Sequence, residues 1–383
     1  MRGHLSGLSV VVSGLLCVLA ACAAPAGSGA GSSAGTAGGA PSASAGAPAT
    51  TFSAPLQAIV DGARREGELV LLWSGVDQPE EIRRLAEGFN RAYGLNVRVQ
   101  FTPGPGMPTM AVKIAQEYQA GRPASSDVFI GSENHLVSMM EVDALEPIDW
   151  ASWSLNVHDP RLLAPNGVGV TLASRAPGIT YNSNKVTGAE VPRTAQDLLK
   201  PQYKGRIAST PYAATFNRLA SDDVWGEQRT LDYVARLAEQ VTGLIRCNEL
   251  ERVASGEFDL FALDCGAEWR KFKAEGAPIG HVIPADAAVL VYWHVAVPRN
   301  SAHPNAARLW VDYLLGREAQ DIIFQFERTD NHLVPGSHAV EDIQALQAQG
   351  VQFSDVDVAF AQRTDEKWLS AVTQQMVNLL TRQ

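Results

Sequence analysis

The sequence predicts an α/β fold whose strands are mostly parallel and flanked by helices. Three observations predict it: a strongly apolar strand opens the folded part, strands and helices then alternate at short spacing, and the alternation returns in the second half. The stretch from about Phe52 to Gln383 is long enough for two lobes with substantial cores.

The first strand is Glu68–Trp73 (ELVLLW), an unbroken apolar run of the kind buried on both faces, and Ser74-Gly75 ends it. A helix follows with Pro79 in its first turn, Glu80 and Glu81 at its positive end, and Ile82, Leu85 and Phe89 on one face. Gly94 stops it. Residues 96–101 (NVRVQF) alternate as a strand, residues 109–119 read as a second helix, and residues 127–130 (DVFI) as a short buried strand. Downstream, a strand is expected at 244–247, a helix at 248–255, a strand at 258–264 (FDLFALD), a helix at 269–275 and an extended segment at 281–284. Residues 178–182 (GITYN) and 288–297 are the expected crossovers between lobes. No short-period internal repeat is present.

Composition excludes some partners. With 46% hydrophobic and 19% charged residues the chain reads as ordinary globular protein, and a net charge of −10 disfavours nucleic acid. At the N-terminus, Arg2 precedes an apolar run from Leu8 to Ala21, about fourteen residues, too short to span a ~30 Å hydrocarbon core but suited to a signal peptide. Leu19-Ala20-Ala21-Cys22 resembles the lipobox of bacterial lipoproteins, which implies lipidation of Cys22 and cleavage before it. An ordinary signal peptide cut at a nearby Ala-x-Ala is the alternative. Residues 23 to about 50 are almost wholly Ala, Gly, Ser, Thr and Pro, a composition expected to form a disordered tether.

Four stretches carry a wider resemblance: Gly67-Glu68-Leu69-Val70, SDVFI at 126–130, DLLKPQYKGRI at 197–207, and HPNAARLWVDYLL at 303–315 with Glu318 and Gln320. In order and spacing they resemble the bacterial extracellular solute-binding family whose members take ferric iron, thiamine, sulfate, phosphonates or polyamines. The resemblance implies a two-lobed periplasmic-binding-protein fold of type II, with each lobe a mostly parallel sheet flanked by helices and the lobes joined by hinge strands. The expected division is a leader at 1–22, a tether at 23–52, one lobe from 53–177 plus 288–335, and the other from 178–287 plus 336–383. It further implies a monomeric binding lipoprotein held outside the cytoplasm by its lipid. Such a protein would serve a permease and an ATPase, without catalysis, cofactor or resident metal.

Ligands of open α/β sheets sit beyond the carboxyl ends of strands. The expected ligand residues are therefore Trp73, Ser74 and Gly75 after the first strand and Ser132 and Glu133, beside Asn134, after DVFI. The resemblance adds Arg175, where an arginine meets an anion, and Tyr212 and Thr215 in a loop that offers donors to an anion. Ala213 and Ala214 there replace the family's Ser-Gly. Iron-binding members carry adjacent tyrosines after the strand that matches 258–264, because phenolates suit a hard trivalent cation. Here those positions are Gly266 and Ala267. That departure turns the expectation toward a small, charged organic solute, with Asp264 and Glu268 as groups for a cationic part and Trp293, with Tyr292, as stacking faces. Ferric iron is the alternative, and an extracytoplasmic enzyme or a sensor the second. No Gly-x-Ser-x-Gly elbow, His-Glu-x-x-His or phosphate-loop motif occurs from Phe52 onward, and the Gly-x-Ser-x-Gly at Gly31–Gly35 falls in the Ala/Gly/Ser segment, without the strand and helix an elbow needs. Cys247 and Cys265 lie at the ends of two expected strands. A disulfide, two free thiols or a metal pair all remain open.

Overall fold

The computed structural model describes residues 52–213 and 215–381. The leader, Cys22 and nearly all of the expected tether lie outside them. Helix α1 (Ala54–Glu66) leads into β1 (Glu68–Trp73), α2 (Pro79–Tyr93) and β2 (Arg98–Pro103), and β1 and β2 pair in parallel. Then come α3 (Met107–Gln119), β3 (Phe129–Gly131), α4 (Glu133–Glu141) and β4 (Val170–Arg175).

The strand β1 differs from the expectation of burial on both faces. Leu69, Leu71 and Trp73 are buried, while Glu68, Val70 and Leu72 are half-buried. Its second edge meets no further strand of a parallel sheet. Instead Asp127 N–H donates to the Val70 carbonyl at 2.8 Å, Asp127 Oδ2 accepts from Val70 N–H at 2.7 Å, and Ser126 Oγ from Leu72 N–H at 3.1 Å. Asp127 also receives the Ala302 and His303 N–H groups at 3.0 and 3.1 Å, and the His303 imidazole lies 2.7 Å away. Asp127 thus bonds three of the stretches that carry the family resemblance to one another: it joins the first strand to the segment entering a later helix. Their role is scaffold.

In the second half run β5 (Ile179–Asn182), β6 (Ile207–Ser209), α5 (Phe216–Leu219), α6 (Glu227–Ala238), β7 (Val241–Leu244), α7 (Glu251–Ala254), β8 (Leu260–Phe261), α8 (Glu268–Ala274) and β9 (Ile279–Val282). They build a five-stranded sheet in the order β7-β6-β8-β5-β9. The expected strand at 244–247 is displaced to β7, because the Tyr212 hydroxyl accepts the Cys247 N–H at 3.1 Å where a strand partner would stand. The strand expected at 258–264 is cut to two residues: Leu263 turns left-handed (φ +43°) and Asp264 N–H bonds the Gly178 carbonyl at 2.8 Å.

The chain returns through β10 (Val289–Ala296), α9 (Pro304–Leu314), α10 (Arg317–Glu327), α11 (His338–Ala348), β11 (Ser354–Val356), α12 (Val358–Arg363) and α13 (Glu366–Thr381). The sheets are mixed. Every antiparallel pair involves β5 or β10, the two extended runs read from sequence as crossovers.

Two cores form. Leu69, Leu71, Phe89, Leu172, Val295 and Trp310 belong to one, and Ile179, Ile207, Phe216, Val234, Leu260 and Val289 to the other. β10 contributes to the second core at its start and to the first at its end, while β4 and β5 are split between them around residues 176–178. The C-terminal part, expected in the second lobe throughout, is divided. Met376 of α13 packs in the second core, Val358 of α12 joins the cluster around Leu136 and Met139 of α4, and Ile343 of α11 packs with Leu290 and Tyr292 at the crossing.

Candidate functional site

Six of the expected ligand residues line one cavity of about 310 Å³: Ser132, Glu133, Arg175, Tyr212, Thr215 and Trp293. They come from the ends of β3, β4 and β6 and from the crossover β10, so strand ends from both cores supply the walls. Pro177, Asn217, Arg218, Cys265, Val291, Tyr292 and Val356 complete the lining.

Arg175 organises the cavity. Its guanidinium lies 5.0 Å from the Trp293 ring centre, and Nη2 donates to Glu268 Oε1 at 2.5 Å. The side chain is 13% exposed, and Nε is buried without a hydrogen-bond acceptor. A buried charged donor with an empty bond calls for a missing partner, water or ligand. Glu268 does not line the cavity. It sits behind Arg175 and fixes the fork. Arg218 differs in kind: Asp223 takes its two terminal nitrogens at 2.8 Å each, the Asp355 carbonyl takes Nε at 3.0 Å, and Phe360 lies 4.4 Å from the guanidinium. Its donors are directed into the protein.

Glu133 opens α4 and is 7% exposed. Burial, aided by the nearby Asp357 charge, pushes its carboxyl up to about 7, so the cavity wall carries a group that exchanges a proton near neutrality. Tyr292 donates its hydroxyl to Asp355, and burial followed by that carboxylate's charge raises the phenol well above its ordinary range. The Tyr212 hydroxyl lies 3.2 Å from Cys247 Sγ. Cys247 and Cys265 are joined, with Cα atoms 5.8 Å apart, and Cys265 lines the cavity beside Tyr212.

Other expected ligand residues are placed elsewhere. Trp73 is 1% exposed, its indole N–H donates to the Val128 carbonyl at 2.6 Å, and its ring packs on Trp310. The two-residue period of β1 turns this last side chain into the core. Ser74 is not on the cavity wall. Gly75, at φ +103°, backs onto Trp293, and a Cβ there would come within 3.5 Å of the ring and 2.9 Å of Met107.

Asp264 is 3% exposed and serves the fold. Oδ1 accepts the N–H groups of Gly178 and Gly266 at 3.0 and 2.9 Å, Oδ2 accepts the Thr180 hydroxyl at 2.5 Å, and His281 Nε2 lies 3.4 Å away. Thr215 Oγ1 reaches the Asp264 carbonyl at 3.4 Å.

The position where iron-binding relatives are expected to carry a tyrosine is closed to any side chain. Gly266 has φ +89°, and a Cβ would stand 2.8 Å from the Ala176 carbonyl carbon and the Pro177 nitrogen. Among the described residues no three Asp, Glu, His or Cys side chains converge as a metal-binding group.

Sequence reading missed Arg218 and Val356. Arg218 lies three residues beyond Thr215, and its proximity in sequence was the available signal. Val356 comes from a strand not expected at all, and nothing local marks it.

Comparison with known proteins agrees with this architecture. The bacterial extracellular solute-binding protein family matches residues 125–357. A Fe(3+)-binding periplasmic protein of Serratia marcescens is 23% identical over 267 residues, which are 65% of this chain and 73% of that protein. The substrate-binding protein of an ABC transporter from Agrobacterium tumefaciens superposes with a TM-score of 0.66 at 18% identity, covering 83% of this chain and 96% of that one. A spermidine/putrescine substrate-binding protein of Streptococcus pneumoniae gives 0.62 at 18% identity, covering 82% and 98%. These likenesses give the fold as that of type II periplasmic binding proteins. No helix among the described residues is long and apolar enough to cross a membrane. With more than half its length matched, the chain belongs to the bacterial extracellular solute-binding protein family.

Proposed function

We propose that this protein captures a small organic solute with an anionic group and a flat or apolar body, and delivers it to the permease of an ABC importer. The observation that carries the reading is Arg175: a half-satisfied guanidinium held against an aromatic face on the wall of an open cavity. A carboxylate or phosphate could take its free donor while the body of the solute lies along Trp293. Tyr212, Thr215 and Ser132 offer hydroxyls for the remaining polar groups. Closure on the solute is a population shift that engages groups from both cores.

The test is a binding screen of the purified protein against organic anions, polyamines, amino acids, thiamine and ferric citrate, read by thermal shift and calorimetry. An organic anion should bind saturably, and Arg175→Ala should weaken it about 10- to 100-fold, the equivalent of a charged hydrogen bond. Unchanged affinity in that variant would sink the assignment.

Ferric iron is the second reading, favoured by the likeness to the Fe(3+)-binding periplasmic protein of Serratia marcescens and by the two phenols, Tyr212 and Tyr292, on the cavity wall with Glu133. Against it, the Tyr292 phenol is raised and hydrogen-bonded to Asp355, and Gly266 leaves no room for a tyrosine beside the cavity. Submicromolar ferric binding with a visible phenolate charge-transfer band would make iron the solute.

The anchor is part of the same reading: lipidated Cys22 holds the protein outside the cytoplasm, with the Ala/Gly/Ser segment as its tether. Cys22→Ser should release the protein from membranes. Retention of that variant through salt and carbonate washing would refute the anchor.

A further inference from the structure

Helix α8 meets the rest of the molecule on two sides. Trp269 and Phe272 pack with Phe258 and Phe261 against the five-stranded sheet, so the helix belongs with the second core. Glu268 and Lys271, three residues apart, share another face of the helix. Both reach across to elements of the first core. Glu268 holds Arg175 at the end of β4, and Lys271 Nζ lies 3.0 Å from Glu327 Oε2 at the end of α10. α10 packs in the first core through Ala319, Ile322 and Ile323. Neither Lys271 nor Glu327 lines the solute cavity.

The acid end of this bridge is the buried one. Glu327 is 8% exposed, whereas the Lys271 side chain is 43% exposed. Close to Glu327 stands Glu81 of α2, wholly buried, neither of whose carboxyl oxygens makes a hydrogen bond of ordinary geometry. Burial, then the Glu327 charge, pushes the Glu81 carboxyl up to about 9. At neutral pH Glu81 is therefore uncharged, and the single negative charge of Glu327 is matched by the single positive charge of Lys271. Moving α8 away takes the partner from a carboxylate that little water reaches, while Lys271 stays solvated. The cost of separation therefore falls on Glu327.

We propose that the Lys271–Glu327 ion pair is a latch between the two lobes, favouring the closed form before any solute has bound. A solute then finds more of the protein in the form that touches it from both lobes, so the latch raises affinity from outside the cavity. The latch rests on the clamp motion proposed above but not on the identity of the solute, and its test needs no solute. A failed binding screen and a failed latch are therefore separate results.

Small-angle X-ray scattering of the purified, solute-free protein reads the closed-to-open ratio. Lys271→Glu, which sets a second negative charge against Glu327, should lower that ratio about tenfold and enlarge the radius of gyration. The exchange of Lys271→Glu with Glu327→Lys should return the wild-type curve, a rescue that a merely structural role would not give. Lys273→Glu, the same charge change at an exposed position of the same helix, should leave the curve unaltered. An unchanged radius of gyration in Lys271→Glu, an equal increase in Lys273→Glu, or an exchange variant that folds and stays open overturns the latch. Should the exchange variant fail to fold, Lys271→Glu against Lys273→Glu decides.

Discussion

Asp264→Ala is expected to cost about 3–5 kcal/mol of folding stability, the usual penalty for removing one member of a buried charged network. Four groups converge on this carboxylate: the N–H donors of Gly178 and Gly266, the Thr180 hydroxyl and the His281 ring. Removing it strands these groups where water does not reach, and each orphaned donor carries its own desolvation penalty. The damage is local to the crossing between the two cores, since Gly178 immediately precedes β5 and Gly266 abuts Ala176. Urea unfolding of both proteins measures the effect. A loss under about 1 kcal/mol would show that the donors find other partners.

The same residue gives a pH signature. Burial alone would raise the Asp264 pKa, but the His281 charge and hydrogen bond, then the Thr180 and Gly178 donors, outweigh it and hold the carboxyl below its ordinary value. A carboxyl depressed in the folded state stabilises above its unfolded pKa, about 4. That contribution is lost as pH falls through the folded value. The stability gap between wild type and Asp264→Ala should accordingly narrow below about pH 4. A gap that widens there would contradict the sign.

Gly266→Tyr is expected to be at least as damaging, and Gly266→Ala nearly so, at about 3 kcal/mol or more. Two penalties add. Any L side chain at φ +89° is strained, and the first carbon of that side chain would stand 2.8 Å from the backbone of Ala176 and Pro177, which is not a flexible side chain able to move aside. Relief requires displacing the crossover that carries Arg175, so solute binding should fall along with stability. Thermal melting and solute titration of Gly266→Ala test both parts. A variant with wild-type melting would mean that the crossover yields freely, and an iron-type tyrosine at this position would then become sterically acceptable.

Several features were legible because they are local. Gly94 does end α2, at φ +60°, and Pro79 does stand at its start, because capping and proline geometry act within one turn. The 13 residues of α3 and the run of β10 were close to their expected bounds for the same reason. Strands were harder. β8 is two residues long where seven were expected, since a strand exists only where a neighbour offers bonds, and Asp264 withdraws the chain from the ladder.

By itself the sequence determined the α/β alternation, the two crossovers, the family scaffold and the loops that hold the cavity residues. Each of these depends on side-chain period, capping or turn chemistry over a few neighbouring positions. Only the tertiary structure decided which residues of those loops face the cavity. Trp73 and Asp264 are as polar or aromatic, and as well placed after a strand, as Trp293 and Glu133, yet the first two are buried inside the fold and the second two line the cavity. Tyr292, Arg218 and Val356 reach the same cavity from three separate elements. That choice follows from how β10 and the 175–178 segment cross between two cores, a geometry fixed by contacts between residues far apart in the chain and so encoded in no single stretch of it.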